Sequence, residues 1–185
     1  YEIFQNFNQG LLEEFRGESI CQTNDGGYLV TGKGTFVLKL NSVGDTVWTR
    51  KIGIDSVGGT GYSIIETDGN EIFITGKQNH HITIFKLNSV GNIIWDNSFY
   101  MGYNTGHVDS KKTNDGGYII TSSKENQNGD NYIYLLKINN TGNFEWDNMF
   151  NIIGEGNSVQ QTIDGGYIIC GEVGGSEDML QLIKT

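Results

Sequence analysis

The sequence contains no proline and only 2 cysteines among its 185 residues. Two cysteines, Cys21 and Cys170, are too few for a disulfide framework or a thiolate metal cluster. We expect both to be small buried hydrophobic residues, with a bridge between them as the alternative. Without proline, the turns depend on residues that tolerate positive φ, and the 27 glycines can supply them.

Positive charge is also scarce. There are 12 Lys and Arg residues against 22 Asp and Glu, which gives a formal net charge of −10 at pH 7. This balance argues against nucleic acid and anionic membrane surfaces as partners. No uninterrupted apolar run approaches the roughly 18 residues of a membrane-spanning helix, so we expect no membrane insertion.

The motifs of common catalytic sites are missing too. There is no Gly-x-Ser-x-Gly elbow, no His-Glu-x-x-His pair and no phosphate-binding loop. The adjacent acidic pairs Glu13-Glu14 and Glu177-Asp178 are typical of solvated charge rather than of an acid–base pair. The sequence therefore predicts a protein that is not an enzyme.

The sequence is rich in internal repeats. The stretch Gln22–Trp48 recurs at Glu66–Trp95 and Lys112–Trp146, and a fourth copy begins at Gln161 but lacks its tryptophan. Phe4 takes the place of that tryptophan, so the aromatic markers lie 44, 47 and 51 residues apart. A period of about 40–50 residues is typical of one four-stranded propeller blade.

Each repeat is predicted to form four short strands. In the first repeat these are Ser19–Thr23, Tyr28–Thr31, Phe36–Leu40 and Thr46–Ile52, with a hairpin signal at residues 24–27. In Phe36–Leu40, the residues Phe36, Leu38 and Leu40 alternate with Val37 and Lys39, as expected for a strand. No segment has helical periodicity with caps, so the sequence predicts an all-β chain.

We therefore predict a single domain, residues 1–185, folded as a four-bladed β-propeller with four antiparallel strands per blade. The blades are expected at about residues 17–53, 61–100, 107–150 and 156–185 plus 1–7. The N-terminal strand Glu2–Phe7 would complete the last blade by pairing with Met179–Ile183, which closes the ring and favours a monomer. The alternatives are a slice of a larger propeller and a pair of chains with eight blades.

Three segments carry a resemblance to a known family. Leu38–Trp48, Phe85–Trp95 and Leu136–Trp146 resemble the tryptophan-docking repeat of quinoprotein-like propellers. With the QTxDGGYIxTG pattern ahead of them, they are similar to a repeat of secreted bacterial and archaeal proteins. The resemblance implies a propeller and an extracellular or cell-surface location. It implies no quinone cofactor, because that site lies outside the repeat, and we predict no cofactor.

The repeated residues have a structural interpretation. A tryptophan in each blade is expected to be a packing anchor between neighbouring sheets. Asp25, Asp115 and Asp164 are expected to bond backbone amides of their own turns. Calcium binding at these turns is the alternative, but each turn supplies only one carboxylate.

Function on a repeat fold lies mostly where the copies differ. The loops between blades, of which residues 151–156 are the last, and those joining second to third strands vary most, and we expect them to share one face. The candidate ligand-binding residues on this face are Asp55, Tyr62, His80, His81, Tyr103, His107 and Asp130. A metal site would need His80 or His81 with His107 and an acidic residue. Consecutive strand residues point in opposite directions, so solvated histidines are the preferred interpretation and no metal is predicted.

One further position differs between repeats. Ser19 recurs as Ser63 and Ser158, but the third repeat has Asp109 there, with Lys111 two residues later. Residues two apart on a strand share a face. We expect Asp109 and Lys111 to form a structural ion pair, with a catalytic role as the alternative.

These patterns favour a non-enzymatic binding module of a secreted or cell-surface protein, with a glycan or a protein as its partner. Tyr62, Tyr103 and their Asn-rich neighbours suit sugar or peptide recognition, because rings stack on ligands and amides bond hydroxyl groups. The first alternative is a structural subunit of a larger extracellular assembly with no small-molecule ligand. The weakest alternative is a metal-dependent enzyme.

Overall fold

The computed structural model describes residues 16–53, 59–103, 106–174 and 179–185, and in these the chain is all-β. The fourteen strands in these ranges form three antiparallel sheets. A 3₁₀ turn, Asp68–Asn70, joins β-strands on either side of it. Within the described ranges, no helix is long and apolar enough to cross a membrane.

Two of the sheets have four strands each, in chain order. The first consists of β1 (Gly17–Gln22), β2 (Tyr28–Gly32), β3 (Phe36–Leu40) and β4 (Thr46–Lys51). The second consists of β5 (Thr60–Thr67), β6 (Glu71–Gln78), β7 (His81–Leu87) and β8 (Ile93–Tyr100). These sheets correspond to the first and second sequence repeats.

The third sheet has six strands, in the order β14-β13-β12-β11-β10-β9. Its members are β9 (Asp109–Lys112), β10 (Tyr118–Glu125), β11 (Asn131–Ile138), β12 (Phe144–Gln161), β13 (Tyr167–Val173) and β14 (Met179–Lys184). The 18-residue strand β12 pairs with β11 along its first part and with β13 along its second part. The third and fourth repeats therefore share one sheet.

The predicted closed four-bladed propeller with four strands per blade is wrong, because the sheets contain four, four and six strands. The error lies at residues 151–156, which were expected to be a loop between blades and are part of β12. This connection is short, and Ile152 and Ile153 are good strand formers, although the turn-favouring residues Asn151 and Gly154 flank them. The proposed closing strand, Glu2–Phe7, lies outside the described residues.

The chain divides into two compact units: Tyr1–Asn79 with Ile84–Asp96, and His80–Thr83 with Asn97–Thr185. The first unit has an apolar core that includes Leu29, Val37, Ile64 and Ile74. The core of the second unit consists of Ile119, Ile133, Leu135, Val159, Tyr167 and Ile169. Most of these side chains come from strands that are buried on both faces, such as β3, β6, β10 and β11.

Hydrogen bonds at equivalent positions join consecutive repeats inside each unit. In the first unit, the Ile64 N–H donates to Ser19 Oγ at 3.3 Å, and in the second the Val159 N–H donates to Asp109 Oδ2 at 3.1 Å. The turn residue Asn24 donates its N–H to Glu66. These bonds fix how the first strand of one repeat lies against the first strand of the next.

Candidate functional site

The structure brings two of the predicted site residues together in the second unit. The rings of His80 and Tyr103 lie with centroids 4.7 Å apart, and His80 Nδ1 is 3.3 Å from the Tyr103 carbonyl oxygen. Tyr103 is nevertheless 72% exposed. The contact therefore orients the tyrosine ring while leaving most of its surface open to solvent.

The backbone around Tyr103 is held by hydrogen bonds on both sides. The carboxylate of Glu125 accepts from the Tyr103 N–H, and the Glu125 N–H donates to the Met101 carbonyl at 2.8 Å. The Met101 N–H in turn donates to the His80 carbonyl at 2.9 Å. Gly102 has a φ of 97°, a left-handed value that favours glycine, and allows the chain to bend between Met101 and Tyr103.

A second aromatic–histidine pair lies beside the first. His81 and Tyr100 have ring centroids 5.3 Å apart in an edge-on arrangement, and Tyr100 is exposed. His80 lies in the turn after β6 with a φ of 66°, whereas His81 begins β7. The two histidines contact different tyrosines. We refer to His80, His81, Tyr100 and Tyr103 as the aromatic cluster.

A polar turn follows Glu125 directly. In it, Asn126 Oδ1 accepts the N–H groups of Asn128 at 2.8 Å and Asp130 at 3.0 Å. The same Asn-x-x-Gly-Asx pattern forms the turns that begin at Asn41, Asn88 and Asn139. The predicted site residue Asp130 therefore closes a rigid turn, and residues 127–129 are exposed at its tip.

The remaining predicted site residues are placed elsewhere. Asp55 lies outside the described residues. Tyr62 belongs to the first unit and is the bulged residue between Gly61 and Ser63 in β5. His107 is half-buried just before β9, where other repeats have glycine. Its neighbour Gly106 donates its N–H to Ser123 Oγ at 2.8 Å.

No metal centre is formed by the part of the chain that the structure describes. In those ranges, no group of three or more His, Cys, Asp or Glu side chains is arranged to hold an ion. Among them, Cys21 and Cys170 are both half-buried free thiols. Neither the alternative bridge between them nor a metal site at the histidines is present there.

The Asp-Gly turns bond their own backbone, as expected from the sequence. Asp25 and Asp115 each accept a hydrogen bond from the second following glycine, Gly27 or Gly117, at 3.0 Å. Hydrogen bonds from Thr113 and from the Gly117 N–H lower the pKa of Asp115 to about 2. These carboxylates therefore stabilise their turns, and their lone pairs are already engaged.

A lysine on the third strand bonds the turn aspartate in the first, third and fourth repeats, and the sequence analysis missed it. Lys39 Nζ lies 2.7 Å from Asp25, and Lys137 Nζ lies 3.0 Å from Asp115 and 2.8 Å from Glu145. Lys137 is only 2% exposed. Burial lowers its pKa, but hydrogen bonds to Glu145 and Asp115 outweigh that effect and leave the pKa raised. The signal was the lysine repeated in LKLN, FKLN, LKIN and LIKT.

The ion pair predicted between Asp109 and Lys111 is present, with Lys111 Nζ 2.7 Å from Asp109 Oδ1. Asp109 also accepts the Ser158 hydroxyl at 3.0 Å and the Val159 N–H at 3.1 Å. A carboxylate bonded by these three donors joins the first strand of the third repeat, β9, to the second part of β12, which belongs to the fourth repeat. This geometry supports the structural interpretation over the catalytic one.

The tryptophans contact neighbouring structure in different ways. The Trp146 and Tyr167 rings are 5.7 Å apart, and they belong to the third and fourth repeats. Trp48 packs at the edge of the first unit's core and lies under the Arg50 guanidinium at 5.6 Å. Trp95 meets Phe73 edge-on at 6.2 Å within one repeat. Trp48 also lies against Gly91 of the second repeat, where an added Cβ would be 3.1 Å from its ring, so packing between repeats is shown for Trp48 and Trp146.

Sequence reasoning missed Tyr100 and Glu125 as members of the candidate site. Tyr100 is the last residue of β8, where every second side chain is exposed, and Tyr100 is one of the exposed residues. This pattern was readable from the sequence. The role of Glu125 was not, because it depends on β10 and residues 101–103 lying side by side.

The comparisons with known proteins concern the fold alone. No protein-family model matches this chain, and no curated protein matches it significantly. A crystal structure of a protein of unknown function from Bacteroides caccae is similar, with a TM-score of 0.63 and 12% sequence identity. The similar region covers 95% of this chain and 62% of that one, so this chain spans less than two thirds of its length. The resemblance to tryptophan-docking repeats stays a prediction.

Proposed function

We propose that this chain is a non-enzymatic recognition module of a secreted or cell-surface protein and that it binds a neutral glycan at the aromatic cluster. The observation that carries the proposal is the exposed but oriented ring of Tyr103. An aromatic ring that is already held in place can accept the apolar face of a sugar with little loss of side-chain freedom. Tyr100 supplies a second exposed ring at the same end of the β7–β8 pair.

Polar groups next to the cluster supply the second requirement of a sugar site. Glycan recognition combines an apolar surface with a few donors and acceptors that bond hydroxyl groups. The exposed residues Gln127 and Asn128 lie in the turn that begins beside Glu125, whose carboxylate bonds the Tyr103 backbone. Their amides can donate and accept at once.

The charge of the chain selects among glycans. With a formal net charge of −10, the protein repels acidic sugars such as sialic or uronic acids. A neutral oligosaccharide meets no such repulsion. The proposal therefore concerns neutral hexose-based glycans.

Binding to a glycan array, followed by calorimetry on the strongest neutral ligand, tests this function. Tyr103→Ala should raise the Kd about tenfold, because it removes the stacking ring. Phe144→Ala is the control, since Phe144 is also an exposed aromatic residue (54%) and belongs to no candidate site. Equal affinities of wild type and Tyr103→Ala, or no binding to any neutral glycan, would refute the proposal.

A further inference from the structure

The turn at residues 126–130 belongs to a set of four equivalent turns. In each of them, the side-chain oxygen of the first asparagine accepts the N–H of the fifth residue at 2.9–3.0 Å. The glycine at the fourth position has a φ of 83–89° in each turn. The turns differ in the residue before that glycine, which is Val43, Val90, Asn128 or Thr141. Asn128-Gly129 is the only Asn-Gly dipeptide in the 185-residue sequence.

An asparagine that is followed by glycine can react with its own backbone. The backbone nitrogen of the following residue attacks the side-chain carbonyl carbon and closes a succinimide ring. A Cβ on the following residue crowds this attack, and glycine has none. The side chain of Asn128 therefore faces a less hindered nucleophile than any other asparagine of the chain.

The structure leaves the Asn128 side chain accessible for this reaction. Residues 127–129 are exposed at the tip of the turn. Among the described residues, Asn128 forms its one hydrogen bond through the backbone N–H, which donates to Asn126 Oδ1 at 2.8 Å. In the equivalent turn, by contrast, Asn139 Oδ1 accepts three hydrogen bonds, from the Thr141 N–H, the Thr141 hydroxyl and the Asn143 N–H. The Asn128 amide can thus rotate towards the Gly129 nitrogen, whereas the Asn139 amide is held in its turn.

A backbone hydrogen bond opposes the reaction. The Gly129 N–H donates to the Asn126 carbonyl at 3.2 Å, and the equivalent bonds of the other turns measure 3.0 or 3.1 Å. This bond must open before the Gly129 nitrogen can attack. Because it lies in an exposed turn, it can open locally while β10 and β11 remain paired. We expect the folded chain to react, although more slowly than the unfolded chain.

We propose that Asn128 is a site of spontaneous modification, and that it converts to isoaspartate and aspartate in the folded protein. The Gly129 nitrogen forms a bond to Asn128 Cγ, the bond from Cγ to the side-chain amide nitrogen breaks, and ammonia leaves with the proton that the Gly129 nitrogen gives up. Water then opens the succinimide. Opening at Cγ gives aspartate, whereas opening at the backbone carbonyl carbon gives isoaspartate, in which the chain continues through the side chain.

Both products change the surface beside the aromatic cluster. Each replaces a neutral amide with a carboxylate, and isoaspartate also lengthens the backbone between Asn126 and Asp130, which are bonded across the turn. The turn follows Glu125, whose carboxylate accepts the Tyr103 N–H. The modified protein is therefore more acidic and has an altered turn next to Tyr103. This chemistry does not depend on glycan binding.

Peptide mapping by mass spectrometry, after incubation of the native full chain at neutral pH, tests the site and the route. Asn140 is the internal control, since it is an exposed asparagine of the equivalent turn but is followed by Thr141. We expect Asn128 to convert roughly tenfold faster than Asn140 or more, because the threonine side chain raises the barrier to attack. Equal rates overturn the proposal. So does the formation of aspartate without isoaspartate, because direct hydrolysis of the amide gives aspartate alone.

Ion-exchange chromatography gives a second, independent measurement. We expect wild type to accumulate a more acidic species during the incubation and Asn128→Thr, which introduces the residue type of the turn at 139–143, not to do so. Asn140→Thr is the matched variant and should accumulate that species as wild type does. An acidic species that forms equally in Asn128→Thr overturns the proposal. Conversion of wild type in urea but not in the native state would overturn it as well.

Discussion

Gly156 lies so close to Thr121 that a Cβ added to the glycine would be 2.2 Å from Thr121 Oγ1. Gly61 stands in the same relation to Thr31, again at 2.2 Å. Both threonine hydroxyls donate to a backbone carbonyl of their own repeat, so they cannot move away without losing that bond. Each unit thus joins two repeats by the same glycine–threonine contact.

From this contact we predict how a methyl group added at Gly156 changes the stability of the fold. Gly156→Ala should lower the free energy of unfolding by about 1–3 kcal/mol, because it overpacks a site closed by Thr121. Urea unfolding followed by tryptophan fluorescence measures the change. Gly174→Ala is the control, since the atom nearest to its added Cβ is 3.9 Å away. Equal stability of the two variants would show that the close approach is not maintained in solution.

The turn carboxylates predict a dependence of stability on pH. The folded pKa of Asp115 is about 2, below its ordinary value of 3.8, so the group stabilises the fold above pH 3.8. That contribution is lost as the pH falls from 3.8 towards about 2. Asp115→Asn should therefore be less stable than wild type at pH 7, and the difference should shrink over this range.

Urea unfolding of both proteins at several pH values checks this prediction. Asp96→Asn controls for the loss of one negative charge from an exposed strand position. A wild-type advantage that stays the same down to pH 2 would mean that Asp115 is not stabilised as an ion by its turn.

The free thiols of Cys21 and Cys170 lead to a prediction about their reaction with a disulfide reagent. Denatured protein should react with two equivalents of a disulfide reagent, because neither Cys21 nor Cys170 is bridged. Burial raises the pKa of Cys21, which lowers its thiolate fraction. Native Cys170→Ser protein, whose thiol is Cys21, should therefore react several times more slowly than the same variant in denaturant. Equal rates would mean that Cys21 is accessible to the reagent in the native protein and that its pKa is not raised.

Much of the local structure could be predicted from the sequence. Phe36–Leu40 was predicted as a strand with the bounds of β3, and the Asp25 turn forms the expected bonds. Both features depend on residues within one repeat, where alternation and turn chemistry decide the outcome. The order of strands across repeats could not be predicted in the same way. It depends on whether residues 151–156 turn or continue, and that short segment has no clear signal for either.

For the candidate site, too, the sequence predicted which residues belong to variable loops but not which of them are in contact. The sequence placed His80 and Tyr103 in variable loops, because both lie where the repeats differ. Their contact, and the bond from the Tyr103 amide to Glu125, bring together three separate segments of chain. Such contacts require the pairing register, which single-sequence patterns do not provide.

The central structural claim is that the third and fourth repeats share β12, and amide hydrogen exchange measured residue by residue tests it most directly. Residues 153–156 pair with β11 or β13, so amides of this stretch should exchange slowly, like those of β13 itself. The exposed turn at residues 127–129 supplies the fast reference. Slow exchange through residues 153–156 is the result that the shared strand predicts. Exchange there as fast as in the turn would contradict it and would indicate a loop between separate sheets.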